Sequence, residues 1–192
     1  SARNEYMIER MKRLLTRTIW ALTKQLEAGD FVPVAYEMRF ENGKIDRVDL
    51  CKDKDKVYVK VLDYKTGSKA FDVVALYHGL QLQLMVYMDA AVKMTQKHYP
   101  DSEVIPAGVF YYRLNDPLVE KKVVGEEEEI WQKVLKELKV DGVMNLKDET
   151  LEHLDHCQAG ESAVIPVKYN KNGSLSKNSK VASEQEFEVM MR

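Results

Sequence analysis

The sequence predicts an α/β domain in which one sheet carries helices on its faces. Three observations predict it. Apolar residues recur every three or four positions from Glu5 to Glu27, the period changes to two from Phe31 to Phe40, and the elements then follow the order helix, three strands, helix, strand.

Each element has its own signal. Met7, Ile8, Met11, Leu14, Leu15, Ile19, Leu22 and Leu26 mark an amphipathic helix, and Gly29 is placed to end it. Val32, Val34, Tyr36, Met38 and Phe40 alternate as in a half-buried strand, closed by a turn at Glu41-Asn42-Gly43. Residues 44–50 form a second strand, Lys52-Asp53-Lys54-Asp55 a charged turn, and residues 57–64 a third strand rich in Val and Tyr that Thr66-Gly67 breaks. Residues 71–95 are too long for a strand and fit a helix that Gly79 weakens; residues 104–114 form a fourth strand, closed by Asp116-Pro117. This core occupies about residues 5–118.

A C-terminal α+β elaboration is expected over about residues 119–192. Its first helix opens near Gly125 with Glu126 to Glu129, four acids that favour a helix N-terminus, and runs to about Lys139. Ile165 to Lys168 with Asn172-Gly173 suggest a hairpin, and Ser183-Glu184-Gln185-Glu186 is a capping-box start for a short last helix. No internal repeat or linker appears, so the 192 residues read as one domain.

Composition narrows the function. With 45% hydrophobic and 31% charged residues and only 9 Gly and 5 Pro, disordered and collagen-like classes are excluded. A net charge of -2 excludes a purely electrostatic DNA binder, so any nucleic acid must be held by a local basic patch. No apolar run approaches the ~20 residues of a membrane span, and Ser1 to Glu5 lack the apolar core of a signal peptide. A cytoplasmic location is expected, with Ser1-Ala2 as a cloning remnant. Cys51 and Cys157 supply neither a disulfide framework nor a CxxC site and read as reduced structural thiols. Of His78, His98, His153 and His156 only the last two have helical spacing, and without a nearby acid motif no metal site is expected there. Lys52, Lys54, Lys56 and Lys60 read as solvated lysines around a turn, with phosphate contacts as the alternative.

The chemistry is expected in Gly43 to Asp49 and Val61 to Gly67. Val57, Val59, Val61, Asp63 and Lys65 share one face of the third strand, so an acid and a base end an apolar, core-facing row. A turn centred between Lys54 and Asp55 pairs residues whose numbers sum to 109 and sets Asp46 opposite Asp63. Two carboxylates roughly 5 Å apart repel unless a cation lies between them, and Mg²⁺, which favours carboxylate oxygens and retained waters, resolves the conflict. Lys65 would point into the same site and polarise an attacking water. A strand-end Asp-Lys salt bridge, with Asp46 capping the turn, explains the same spacing without catalysis. Gln83 and Tyr87, four apart, share a helix face as a polar edge among Leu80, Leu84 and Met88, or as a plain helix boundary.

Gly43-Lys44-Ile45-Asp46-Arg47, Leu62-Asp63-Tyr64-Lys65-Thr66-Gly67 and Gly79-Leu80-Gln81-Leu82-Gln83-Leu84-Met85-Val86-Tyr87 resemble, in order, motifs of the RecB-type PD-(D/E)XK nucleases. The likeness is greatest to the C-terminal nuclease domain of the AddB-type subunit of bacterial helicase-nuclease complexes, and it extends through Ala107 to Pro117. The resemblance implies a restriction-endonuclease-like core and a Mg²⁺- or Mn²⁺-dependent deoxyribonuclease of exonuclease type, acting on single-stranded DNA or duplex ends in double-strand-break repair beside a helicase partner. It implies metal binding by Asp46, Asp63 and Tyr64, activation of water by Lys65, and DNA contacts from Gln83, Tyr87 and Lys69. Glu37 is a candidate additional acid, although alternation sets it opposite to Tyr36 and Met38. Relatives of this kind commonly hold an iron-sulfur cluster with four cysteines; two thiols at Cys51 and Cys157 do not support one in this chain, so the resemblance implies either a fragment of a longer protein, cut inside the cluster ligands, or a member without the cluster. No GxxxxGK[ST] loop occurs, so ATP hydrolysis belongs to other polypeptide. Two other classes remain: a catalytically silent nuclease fold used for DNA docking or scaffolding, and a stand-alone repair or CRISPR-associated exonuclease.

Overall fold

A computed structural model describes residues 2–41, 43–65, 82–114 and 127–192. In chain order these form α1 (Ala2–Glu27), β1 (Val32–Phe40), β2 (Gly43–Asp53), β3 (Lys56–Lys65), α2 (Leu82–His98), β4 (Glu103–Arg113), α3 (Glu127–Glu137), β5 (Asp141–Asn145), α4 (Asp148–Leu154), β6 (Val181–Ala182) and α5 (Glu184–Met191). The expected helix over residues 71–95 is present from Leu82 onward; its earlier part with Gly79, and the breaks at Thr66-Gly67 and Asp116-Pro117, lie outside the described residues.

The strands form one sheet in the order β1-β2-β3-β4-β5-β6. β1, β2 and β3 are an antiparallel meander, and β4 runs parallel to β3. A parallel pair needs a crossover, and α2 lies on that connection. The β2–β3 ladder runs from Arg47 opposite Leu62 to Asp53 opposite Lys56, the register that the charged turn predicts. Lys54 closes that turn at φ 56, a left-handed conformation common in tight hairpins.

Side chains leave the sheet on alternate faces, and both faces are covered. On one, Val48, Leu50, Val57, Val59, Val61 and Val109 meet Leu84, Met85, Met88 and Ala91 of α2 and Phe187 of α5. On the other, Tyr58, Leu62, Phe110 and Tyr112 meet Ala21 of α1, Val134 and Leu135 of α3, and Leu151 and Leu154 of α4. The result is three layers, with the sheet in the middle.

The first helix is longer than the packing it makes. Its buried residues, Thr18, Ala21 and Gln25, lie in the C-terminal half, where Trp20 also packs on Trp131 with ring centroids 4.8 Å apart. Met7, Ile8, Met11, Leu15 and Ile19 of its apolar stripe stay more than half exposed.

Three elements of the C-terminal part, β5, α4 and β6, carry no signal strong enough to be predicted. β5 depends on Gly142, where a Cβ would fall 2.0 Å from the Val109 carbonyl oxygen. The expected hairpin is reduced to its turn: Gly173 has φ 82 and is bracketed by one single bridge, Tyr169 with Leu175, while Lys168 bridges back to Glu161 instead. The last helix starts as expected, with Ser183 and Glu186 exchanging capping hydrogen bonds. Among the described residues, no helix is long and apolar enough to cross a membrane.

Candidate active site

Asp46 and Asp63 meet where β2 and β3 end on the α2 side of the sheet. Asp46 Oδ2 accepts the main-chain N–H of Tyr64 at 2.9 Å, which ties its carboxylate to the residue next to Asp63. Asp63 is 5% exposed and lies opposite Tyr111 of β4. Lys65 Nζ stands 2.6 Å from Asp63 Oδ2 and 5.5 Å from the centroid of the Tyr111 ring. That ion-pair contact is poorly aligned, and Oδ2 has no well-directed hydrogen bond, although it is buried. The salt bridge expected from spacing alone is therefore present, with Asp46 added to it.

Electrostatics give the site its character. Burial pushes the Asp63 carboxyl above its ordinary range, and the adjacent Asp46 adds to this against the pull of Lys65. Burial opposes the charge on Lys65, but the Asp63 carboxylate more than offsets it, so the ammonium is held firmly protonated. Two carboxylates thus share the site with the Lys65 ammonium, and a buried carboxylate oxygen lacks an aligned donor. A divalent ion fits that deficit. Asp46 and Asp63 would hold it; the Tyr64 phenol leaves the sheet on the other face, where it accepts from Arg47 at 3.3 Å, so only the Tyr64 main-chain carbonyl is on offer to an ion.

Residues 1–168 match the family model described as the PD-(D/E)XK nuclease superfamily. The chain belongs to the PD-(D/E)XK nuclease superfamily. It is 42% identical to a protein of Lachnoclostridium phytofermentans over 97% of the chain, and 36% identical to one of Clostridium novyi over 99%. It is 31% identical to a Thermoanaerobacter protein over its full length. All three are named as a subunit of an ATP-dependent helicase/deoxyribonuclease, and the chain spans only 17–18% of their length.

In this PD-(D/E)XK domain the helix pair comes near Lys65 through Tyr87. Gln83, exposed in the first turn of α2, donates from Nε2 to the Tyr87 hydroxyl in a short hydrogen bond. Tyr87 is 6% exposed and stands edge-on to Phe40, centroids 5.7 Å apart. Its electrostatic influence extends to Lys65. Lys69 lies outside the described residues.

Glu37 is placed differently from its neighbours. It falls between the pairs Tyr36 with Arg47 and Met38 with Ile45, across from Asp46, but at φ 50 its backbone is left-handed and breaks the alternation. Its carboxylate points to solvent and pairs with Lys44 at 2.9 Å, so the structure does not bring it to the other two acids.

Two features of the site are not visible in the sequence pattern. Tyr111, which covers Lys65, reads there as one more aromatic in a buried strand. Behind the site, on the opposite face, Arg47, Asp49 and Lys60 form a buried ionic triad: Arg47 Nε and Nη2 donate to the two Asp49 oxygens at 2.6 and 2.7 Å, and Lys60 Nζ lies 2.9 Å from Oδ2. Lys60 is therefore not the solvated turn lysine that the pattern suggests; it is 9% exposed, and burial pulls its pKa down.

Proposed function

We propose that this domain is a divalent-metal-dependent deoxyribonuclease that hydrolyses phosphodiester bonds, with single-stranded DNA delivered by a helicase partner as its substrate. The observation that carries the reading is the convergence of Asp46, Asp63 and Lys65 at one end of an otherwise apolar row, with a buried Asp63 oxygen lacking an aligned donor. The names of the relatives support the helicase context and DNA as the substrate class.

Asp46 and Asp63, with the Tyr64 carbonyl, would hold Mg²⁺ or Mn²⁺. A divalent ion there supplies Lewis acidity for attack at a phosphodiester. The chain's own residues do the rest. Asp63 orients the Lys65 ammonium, which stabilises the negative charge that gathers as the phosphodiester is attacked. The Tyr111 ring and the buried Tyr87 keep bulk water from the far side of that ammonium and so preserve its effect. Gln83, exposed and tethered to Tyr87, would meet the sugar-phosphate backbone.

The test is cleavage of end-labelled single-stranded and duplex DNA by the chain with Mg²⁺, with Mn²⁺ and with chelator. The expected outcome is metal-dependent hydrolysis that Asp63→Ala abolishes and Lys65→Ala lowers by about 10²-fold or more. DNA binding without hydrolysis under all metal conditions would favour the silent docking module instead.

A further inference from the structure

A second cluster of metal-binding side chains lies on the opposite face of the sheet. Asp30 sits in the turn after α1, Cys51 on β2, His153 in the last turn of α4, and His156 just beyond it. Asp30 Oδ2 is 2.7 Å from His153 Nδ1, and Asp30 Oδ1 is 2.8 Å from His156 Nε2. One ligand atom each from Asp30, Cys51 and His153 lies within 4.8 Å of the others. Only the fold connects them, since 123 residues separate Asp30 from His153.

We propose that Asp30, Cys51, His153 and His156 form a tetrahedral transition-metal site of zinc type that clamps the end of α1 and the end of α4 to the sheet. Zinc takes Cys, His and carboxylate ligands at roughly 2.0–2.3 Å, so its ligand atoms stand about 3.3–3.8 Å apart; Asp30, Cys51 and His153 already lie within 4.8 Å of one another, and the exposed His156, whose Nε2 now meets Asp30 Oδ1, must swing inward to take the fourth position. Charge balances as well: a divalent ion with one thiolate, one carboxylate and two neutral imidazoles is neutral, which suits a half-buried position.

The groups around the cluster fit the same ion. With His153 Nδ1 turned to the cluster, its other nitrogen, Nε2, faces Asp53 Oδ2 at 3.6 Å. A carboxylate behind a ligating imidazole is the arrangement that fixes the tautomer and raises ligand basicity in metal sites. On binding, neutral His153 takes the tautomer with its single N–H on Nε2 facing Asp53, which leaves the Nδ1 lone pair for the ion, and the Cys51 S–H proton is released to solvent as the S–metal bond forms. Cys51 is buried beside Asp30 and Asp53, and this pushes its thiol up to about 11 in the absence of an ion. A divalent cation reverses that penalty.

The backbone makes the site a clamp. Asp30 N donates to the His153 carbonyl at 2.8 Å and His156 N to the Ala28 carbonyl at 2.8 Å. A Cβ on Gly29 would fall 2.3 Å from the His153 carbonyl oxygen, so the two segments already touch.

The probe is Co²⁺ followed by Zn²⁺, titrated into the whole chain in a Cys157→Ser background, because Cys157 is exposed beside His156 and is the other thiol. The expected result is one Co²⁺ giving thiolate-to-cobalt absorption with tetrahedral d–d bands, displaced by Zn²⁺. The carboxylates of the catalytic site, which lack a thiolate, cannot produce that absorption. Cys51→Ser should abolish it, His156→Ala should weaken binding by ten-fold or more, and Asp53→Asn should weaken it by roughly 10–100-fold. If Cys51→Ser fails to fold, the exposed His156→Ala keeps the test decisive. Absence of the thiolate band, or unchanged affinity in His156→Ala, would reduce the cluster to a hydrogen-bonded tether and overturn the proposal.

Discussion

Asp46 and Tyr64 are joined across two strands by a hydrogen bond from the Tyr64 main-chain N–H to Asp46 Oδ2 at 2.9 Å. The acid therefore has two separable tasks, closing the end of the β2–β3 ladder and bringing a second negative charge to Asp63. Asn retains an oxygen that accepts the N–H but loses the charge. Asp46→Asn should keep the melting temperature near wild type and lower divalent-metal affinity by about ten-fold or more; Asp46→Ala should lower both. Calorimetric Mg²⁺ and Mn²⁺ titrations beside thermal melts make the comparison. Equal metal affinity in wild type and Asp46→Asn would remove Asp46 from the metal site.

Lys65→Ala should lower cleavage by about 10²–10³-fold while the fold persists, because the ammonium is a third exposed and contributes little packing. Single-turnover cleavage read beside a melting curve checks this. Collapse of the fold in Lys65→Ala would instead make the Asp63 contact a structural salt bridge.

The raised pKa of Asp63 fixes the sign of a pH effect. Its folded value lies above the unfolded one, so the metal-free fold gains from this group at low pH and loses that gain as pH rises through the folded value. Metal binding needs the carboxylate and runs the other way, weakening as pH falls through the same raised value. Lys65→Ala removes the charge that pulls this pKa down, so the acid limb of Mn²⁺ binding should move to higher pH in that variant. An acid limb at the same pH in both proteins would mean that Lys65 does not act on Asp63.

Much of this site is legible in the sequence because it is local. The Lys54-Asp55 turn sets the β2–β3 register, and alternation then puts Asp63 and Lys65 on the Val57, Val59 and Val61 face. Arg47, Asp49 and Lys60 are illegible for a related reason: alternating charges are the pattern of a strand with one solvated face, and only helices from both ends of the chain bury them. His153 and His156 belong to no metal-binding acid motif in the sequence, and the fold supplies the distant Asp30. Glu37 fails for a backbone reason, since a positive φ cancels the alternation on which its placement depends.

The Arg47–Asp49–Lys60 triad spans the same two strands as Asp46 and Asp63. Asp49→Leu leaves two buried cations unpaired and should cost ~3–5 kcal/mol, whereas Arg47→Met with Asp49→Leu and Lys60→Met together should be near neutral. Asp49 is held below its ordinary range, since Lys60 and Arg47 outweigh the cost of burial. Its contribution is therefore present above the unfolded carboxylate value and lost as pH falls through the folded one. Urea melts from neutral to acid pH should show that acid loss in wild type and not in the triple variant. If the triple variant is as unstable as Asp49→Leu, the triad is needed for more than charge balance.

Gln83 and Tyr87 separate substrate positioning from packing within one hydrogen bond. Tyr87 is buried against Phe40, so Tyr87→Phe keeps the ring contact and removes only the hydroxyl that Gln83 holds. Gln83 is exposed, and Gln83→Ala removes no buried surface. If the pair positions the DNA backbone, both variants should melt like wild type, bind Mn²⁺ equally well, and lose cleavage on the 10²-fold scale that follows from misplacing a reacting group by about 1 Å. Neither variant removes a carboxylate, so a parallel loss of metal affinity would be unexplained by this geometry. Wild-type cleavage by Gln83→Ala at limiting DNA would make the hydrogen bond a helix-end contact, and the DNA path would then have to run over another part of the surface.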